Sequence, residues 1–412
     1  MQTRIDPRFQ DDPTVHEADE ILRSCVHCGF CTATCPTYQL FGDELDGPRG
    51  RIYLIKEFLA GAPVTHSTLT HLDRCLTCRA CETTCPSGVR YARLAEIGRE
   101  HIEAEISRPL GERLKRRALR AIIPHPRRFA ALLRVGQACK PLLPKALARK
   151  VPERRWGSAW PVPQTSGRGR SMIALTGCVQ GVVTPATHQA LEAILARLDI
   201  RLQTAPAAGC CGALSLHLNA REEARDFMRR NIDAWWPLIA AGAEAIVVSA
   251  SGCGSMVKEY GEALRDDPGY ADKAARVAAL ARDPSEVLLA EDLDTLPLDA
   301  PKPLRIAFHA PCSLQHGQRL PGTVERLLQR AGYRLTAVPD GHLCCGSAGS
   351  YSLLQPIIAA TLRDQKLAAL NSGTPNVIAT ANIGCQMHLQ SASPIPVRHW
   401  LELVADALPK VL

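Results

Sequence analysis

The 412-residue sequence has no run of 18 or more apolar residues, so it offers no ordinary bilayer-spanning helix. Aromatic residues are scarce, with seven Phe, seven Tyr and five Trp. That argues against a nucleic-acid surface built on base stacking. A G-x-G-x-x-G fingerprint is missing too. Gly167-Arg168-Gly169-Arg170 lacks the third glycine and reads as a flexible joint. With no nucleotide or flavin fingerprint, the chain carries no visible machinery for oxidising a substrate itself. The first residues, Met1 to Asp6, are polar, and no apolar core of a signal peptide follows. The expected compartment is therefore the reducing cytoplasm.

Cysteine is what the chain has in excess, 17 in all. In a reducing compartment so many thiols point to metal rather than to disulfides. Cys25, Cys28, Cys31 and Cys35 with Pro36 form C-x2-C-x2-C-x3-C-P, and Cys75, Cys78, Cys81 and Cys85 with Pro86 repeat it. This is the bacterial ferredoxin rhythm, in which the fourth cysteine of each run serves the other cluster. The expected ligand sets are thus Cys25, Cys28, Cys31 and Cys85 for one [4Fe–4S] cluster, and Cys75, Cys78, Cys81 and Cys35 for the second. Two zinc sites are the competing reading, because C-x2-C also suits zinc. Between the runs, Gly47 to Arg51 reads as a turn and Ile52 to Leu59 as a helix, while Tyr91 to Ile106 reads as helical after them.

The C-terminal half contains an internal repeat. Cys178, Cys210-Cys211-Gly212 and Cys253 are matched by Cys312, Cys344-Cys345-Gly346 and Cys385. The lone cysteine precedes the pair by 32 positions in both units. Short apolar segments alternate with helical ones: strands at 172–176, 200–205 and 245–250, then 304–309, 333–338 and 376–381, each ahead of a cysteine element. Such alternation implies parallel sheet, with the cysteines beyond the carboxyl ends of the strands. Gly212 and Gly346 are expected to let the backbone approach a bound cluster. These eight cysteines read as further iron–sulfur or redox sites, with buried packing or redox disulfides as the alternatives. His309, His316 and His342 stand near the second set, either as structural histidines or as groups that tune it or relay protons.

Between the halves, residues 108–170 hold 17 Lys and Arg against Glu112 and Glu153. This connector suits an anionic membrane surface or an acidic partner, or it packs its leucines on neighbouring domains as a solvated linker. Cys139, without cysteine neighbours, reads as a buried small apolar residue. The fold class expected is multidomain α+β and α/β: a helical ferredoxin-like domain over 1–107, the connector over 108–170, and two parallel-sheet Cys-Cys-Gly domains over 171–300 and 301–412.

Several phrases carry a resemblance across nearly the whole chain, weakest in the connector. CVHCGFCTATCPTYQLFGDELDGPRGRIYLIK (25–56), HLDRCLTCRACETTCPSGVRY (71–91), ASGCGSMVKEYG (250–261) and ANIGCQMH (381–388) resemble the iron–sulfur subunits of bacterial glycolate oxidases. The broader architecture is similar to that of lactate-utilisation subunits, the anaerobic glycerol-3-phosphate dehydrogenase small subunit and heterodisulfide reductase subunits. The resemblance implies an electron-transfer role. FAD-containing partner subunits would oxidise glycolate to glyoxylate, and this chain would pass electrons toward a quinone or other respiratory acceptor. With the basic connector, the expected place is the cytoplasmic face of the inner membrane, and the scarcity of aromatics leaves no nucleic-acid partner expected. The equivalent subunit for lactate or glycerol-3-phosphate oxidation, and a thiol–disulfide or quinone reductase acting at the Cys-Cys-Gly sites, are the alternatives. Heterodisulfide reductases close each unit with C-x2-C, whereas Met256 and His388 stand at those positions here. One thiolate per unit is therefore absent, and His388 is a candidate replacement.

Overall fold

The computed structural model describes residues 1–142, 144, 148, 151–152, 160–163, 165, 169–293, 296, 298 and 304–409. Arg154, Arg155, Gly167, Arg168 and the expected domain boundary at 300/301 lie outside them. The chain divides into two compact units: Met1–Arg117 with His342–Leu362, and Ala118–Gly341 with Arg363–Leu412.

The first unit is helical. Its main helices are Pro13–Ser24, Pro36–Phe41, Pro48–Leu59, His66–Asp73, Ala80–Thr84 and Tyr91–Glu105. Three of them open with proline, whose fixed φ and missing N–H suit the first helical position. Asp12 caps the first by accepting from the Thr14 amide at 2.8 Å. Thr65 and Thr68 form a reciprocal capping box on the fourth. Val15, Leu22, Ile52, Ile55, Phe58, Leu72, Leu94 and Ile97 make one apolar core among these helices. The turn expected over Gly47 to Arg51 is instead the start of a helix, because Pro48 is an N1 residue rather than a corner.

The second unit holds two four-stranded, all-parallel sheets, as the alternating pattern predicts. The strands are β1 Ser171–Ala174, β2 Arg201–Thr204, β3 Ile246–Val247, β4 Ala281–Arg282, β5 Arg305–His309, β6 Arg334–Leu335, β7 Val377–Thr380 and β8 Val397–His399. Their orders, β2-β1-β3-β4 and β6-β5-β7-β8, are the same topology twice. The central strands are buried nearly throughout, as strands covered on both faces must be. The fourth strand of each sheet, β4 with two residues and β8 with three, escapes the sequence pattern because no cysteine element follows it. A core through Met172, Leu191, Leu195, Ile306, Phe308, Val324, Val377 and Trp400 is common to the two sheets. Helix Pro185–Arg197 packs on helix Trp400–Asp406, and Thr187 Oγ1 donates to Glu402 Oε1 at 3.0 Å within that contact.

The described part of the connector forms two helices, Leu110–Ile122 and Pro126–Ala138. Phe129 and Leu133 of the latter pack against Val183, Ala250 and Ile383. Leu132 and Val135 remain exposed. Cys139 is also exposed, contrary to expectation, because it caps this helix on its solvent side.

Candidate iron–sulfur sites

In the first unit, each run of cysteines wraps a short turn before a helical segment. His27 and Gly29 in the first run, and Thr77 and Arg79 in the second, take positive φ, which curls the chain so that successive thiols face inward. Cys31 lies beside Cys25, Cys85 and Cys28, and burial followed by these neighbouring thiols pushes it up to about 11. Cys25, Cys28, Cys31 and Cys85 line one cleft, which Cys81, Phe30, Ile52, Val89 and Tyr91 also border. Cys78 and Cys81 instead group with Cys75 and Cys35. The structure thus gathers two sets of four thiols, each with one member from the other run. No two cysteines are joined by a disulfide. An all-thiolate set of four fits a cubane cluster.

The two sets differ in surroundings. Cys28 is exposed, and Val26 and Phe30 beside it are more than 60 % exposed, so the first set faces solvent. The second sits over a buried charge network that sequence reasoning missed. Arg51 and Asp46 are each 1 % exposed and stand 3.6 Å apart. Asp46 also meets Arg74 at 2.7 Å and His71 Nδ1 at 3.0 Å. Arg51 donates to the His71 carbonyl at 2.7 Å and to Thr37 Oγ1 at 3.1 Å, and Thr37 lies 3.3 Å from Cys35 Sγ. Burial would raise the Cys75 thiol. Arg51, Arg99, the Thr77 amide at 3.4 Å and the Tyr91 hydroxyl at 3.6 Å outweigh it and hold Cys75 below the ordinary thiol range. Arg51 sits inside the quoted GPRGR phrase, but no local pattern marks it as buried.

The Cys344-Cys345 segment belongs to this first unit. Cys344 is close enough to Cys78 to be, after burial itself, the largest influence raising that thiol. Tyr351 anchors the segment through a 3.0 Å hydrogen bond to the Arg74 carbonyl.

In the second unit, Cys178, Cys210, Cys211 and Cys253 are strung together by thiol–thiol hydrogen bonds. Bonds from Cys178 and Cys211 hold Cys210 well below the usual thiol range, while the same bonds raise Cys178 and Cys211. Asn231 clamps the pair by accepting from the Gly209 amide and donating to the Cys210 carbonyl, both at 2.8 Å. Tyr260 donates to the Cys211 carbonyl at 2.9 Å. Gly212 has φ +92°, and a Cβ there would stand 2.9 Å from the Ala224 carbonyl oxygen. Gly346 has φ +85° and would meet the Ala359 carbonyl at 2.7 Å. These glycines are therefore required by their left-handed backbone and by a neighbouring helix, and the Gly346 amide donates to Cys344 Sγ at 3.4 Å.

Cys312 and Cys385 follow β5 and β7, neighbours in the second sheet. Asn382 donates to Cys385 Sγ at 3.6 Å. Ser251, two residues before Cys253, pairs with Ser313, next to Cys312, at 2.8 Å. Ser255 donates to the Ser313 carbonyl at 2.9 Å. The segments that bear Cys253 and Cys312 therefore touch within this unit. Met256 is buried in the apolar core of the first sheet, and His388 is half-buried on helix Ile383–Gln390.

Comparison with known families agrees with this layout. Residues 21–89 match a 4Fe-4S dicluster domain, and residues 173–258 and 306–390 match a cysteine-rich domain. The chain is 54% identical over 410 residues to the glycolate oxidase iron-sulfur subunit of Escherichia coli K12, covering 100% of both chains. It is 29% identical to the probable glycolate oxidase iron-sulfur subunit of Bacillus subtilis 168, over 90% of this chain and 88% of the relative. Lactate utilization protein A of Geobacillus thermodenitrificans is 28% identical over 51% of this chain and 88% of its own length.

Proposed function

The chain belongs to the family of glycolate oxidase iron–sulfur subunits, and from that premise we propose that it carries electrons within a glycolate-oxidising complex. FAD-bearing partner subunits oxidise glycolate to glyoxylate, and this chain delivers the electrons toward a quinone or other respiratory acceptor. Cys25, Cys28, Cys31 and Cys85 hold one [4Fe–4S] cluster, and Cys75, Cys78, Cys81 and Cys35 the second. The two cysteine-rich domains hold further iron–sulfur centres. Such clusters supply single-electron acceptance and release.

The observation that carries this reading is the sorting of eight thiols into two sets of four, with Cys344 beside Cys78 of the second set. This chain's residues set the direction of flow. Arg51, Arg99, the Thr77 amide and the Tyr91 hydroxyl favour added negative charge on the second set. The first set is more open to solvent, and the cation beside it, Arg49, which lines its cleft and interacts with Cys31, is itself paired with Glu44 at 2.7 Å. Hydrogen bonds and charge beside sulfur are the protein's means of setting cluster potential. Phe129 and Leu133 dock the helix Pro126–Ala138, while Arg127, Arg128, Leu132 and Val135 form an exposed basic and apolar face. That face supports peripheral contact with the cytoplasmic side of the inner membrane. No helix of the described residues is long and apolar enough to cross a membrane.

The test is anaerobic co-purification with the partner subunits, iron, sulfide and flavin analysis, and EPR of the reduced chain. Two magnetically coupled clusters here and flavin only on the partners are expected. A colourless, zinc-loaded chain would sink the reading.

A further inference from the structure

His309 ends β5, is 1 % exposed, and has no partner on either ring nitrogen among the described residues. An imidazole buried without a hydrogen bond loses its hydration with nothing in return, and buried polar groups are rarely left so. The other fully enclosed histidine of this unit shows how the fold treats a structural one. His399 is satisfied on both nitrogens, Nε2 donating to the Ser249 carbonyl at 3.0 Å and Nδ1 accepting from the Leu401 amide at 3.3 Å. His309 receives nothing comparable. Its register partner on β7, Thr380, also has a buried hydroxyl without a partner, so it does not serve the ring.

What His309 does have nearby is sulfur. One of its ring nitrogens and Cys385 Sγ lie within 4.8 Å of one another. That is close enough for both to reach one metal after a small side-chain rotation, given bonds of about 2.0 Å to nitrogen and 2.3 Å to sulfur. Cys312 follows three residues later on the same turn, at the N-terminus of the Ser313–Gly317 segment. The internal repeat provides a control. Three residues before Cys178, at the position matching His309, stands Leu175, buried in the apolar core of the first sheet. The fold therefore accommodates a plain hydrophobe at this point, and the imidazole is particular to the second domain. The first domain assembles four thiols and places Met256 where a fifth would be.

We propose that His309 is a metal ligand of the second cysteine-rich domain, so that an iron–sulfur centre there has imidazole among its thiolate ligands. The inference rests on the reading that this domain holds such a centre. A neutral imidazole in place of a thiolate removes negative charge from the site. This is the direction in which histidine ligation raises cluster potential in Rieske centres. The second domain becomes the more readily reduced of the two, a preferred resting place for electrons.

The experiment uses the full chain purified anaerobically, as wild type, His309→Leu and His309→Gln. Iron and sulfide are counted, and pulsed EPR is recorded at successive potentials on protein with natural and with 15N-labelled histidine. The labelled wild type makes the test independent of whether either variant folds. Expected are iron above the roughly eight of two cubane clusters, and a strong histidine-nitrogen coupling that changes with the label and is lost in both variants. The two ferredoxin-type signals stay as they are. Extra iron without that coupling, or a coupling that survives in both variants, overturns the ligand assignment and leaves the electron-carrier reading standing. Iron limited to the ferredoxin complement overturns the assignment together with the reading that this domain holds a cluster.

Discussion

The Tyr351 hydroxyl donates to the carbonyl oxygen of Arg74 at 3.0 Å, joining residues 277 positions apart in the chain. Arg74 immediately precedes Cys75, so this bond ties the Cys344-Cys345 segment to the second ferredoxin-type run. Burial raises the Tyr351 phenol, and Cys75 adds to the effect, so it remains protonated and able to donate. Tyr351→Phe should weaken the attachment by about 1 kcal/mol, the net worth of one such bond. Hydrogen exchange over 342–362 should accelerate about fivefold, while the EPR signals of the ferredoxin-type clusters remain. Unchanged exchange would show that the bond does not hold the segment.

Arg51 is the buried cation beneath the second set, next to Cys75 and Cys35. Arg51→Met removes that charge and leaves Asp46 more weakly compensated, at a cost of about 3–5 kcal/mol for breaking a buried pair. The midpoint of the second cluster should fall, and a tenfold change in its reduction equilibrium is about 59 mV. Potentiometric EPR should find the first cluster unmoved. A shift of equal size in both would show that the network acts globally.

Exposure at Cys28 against burial at Cys81 predicts unequal lability. Under mild oxidation with a chelator, iron should leave in two phases, with the cluster at Cys25, Cys28, Cys31 and Cys85 going first. Loss of the spin coupling between clusters before loss of half the iron's absorbance would mark the order. A single phase would refute it.

Gly212→Ala should cost more than Gly242→Ala. Both glycines take positive φ, at +92° and +95°, but only Gly212 faces a carbonyl oxygen at 2.9 Å; Gly242 has open space around it. The backbone penalty alone is about 1–2 kcal/mol, so the excess at Gly212 measures the displacement of the helix bearing Ala224. Urea midpoints of the two variants, compared with wild type, test this.

Asp283 caps helix Pro284–Ala290, is wholly buried, and has one carboxylate oxygen without a partner among the described residues. Burial raises it from 3.8 to about 6 despite bonds from Ser285. Because the folded state holds the proton more tightly, stability falls as pH rises from about 4 to 6, by roughly 3 kcal/mol for the full shift. His399 has the opposite sign: burial lowers it to about 4, so its contribution is lost as pH falls from 6.5 through 4. Asp283→Asn keeps a good cap and removes the first effect. Its stability relative to wild type should therefore improve by up to ~3 kcal/mol between pH 4 and 7. A difference independent of pH would show that Asp283 does not titrate in this range.

The cysteine spacings by themselves pointed to iron–sulfur chemistry, because metal ligation depends on a few identical side chains at short, fixed intervals. The 32-residue offset, repeated, likewise exposed the tandem domains and their parallel sheets, since strand–helix alternation is a local pattern. β3 and β6 are as short as β4 and β8, but a cysteine element follows each of them; β4 and β8 have no such marker and emerge only from pairing. Proline was ambiguous in sequence: Pro48 starts a helix where a turn was equally consistent with its fixed φ. The reason for Gly212 also needed the fold, as only the helix across from it shows what a Cβ would strike. Tertiary structure alone decided the rest. Arg51 and Asp46 are ordinary charges until folding buries them together. His309 is one of 13 histidines until the strand ends of β5 and β7 set it beside Cys385. Burial and long-range proximity are properties of the packed chain, and no local spacing encodes them.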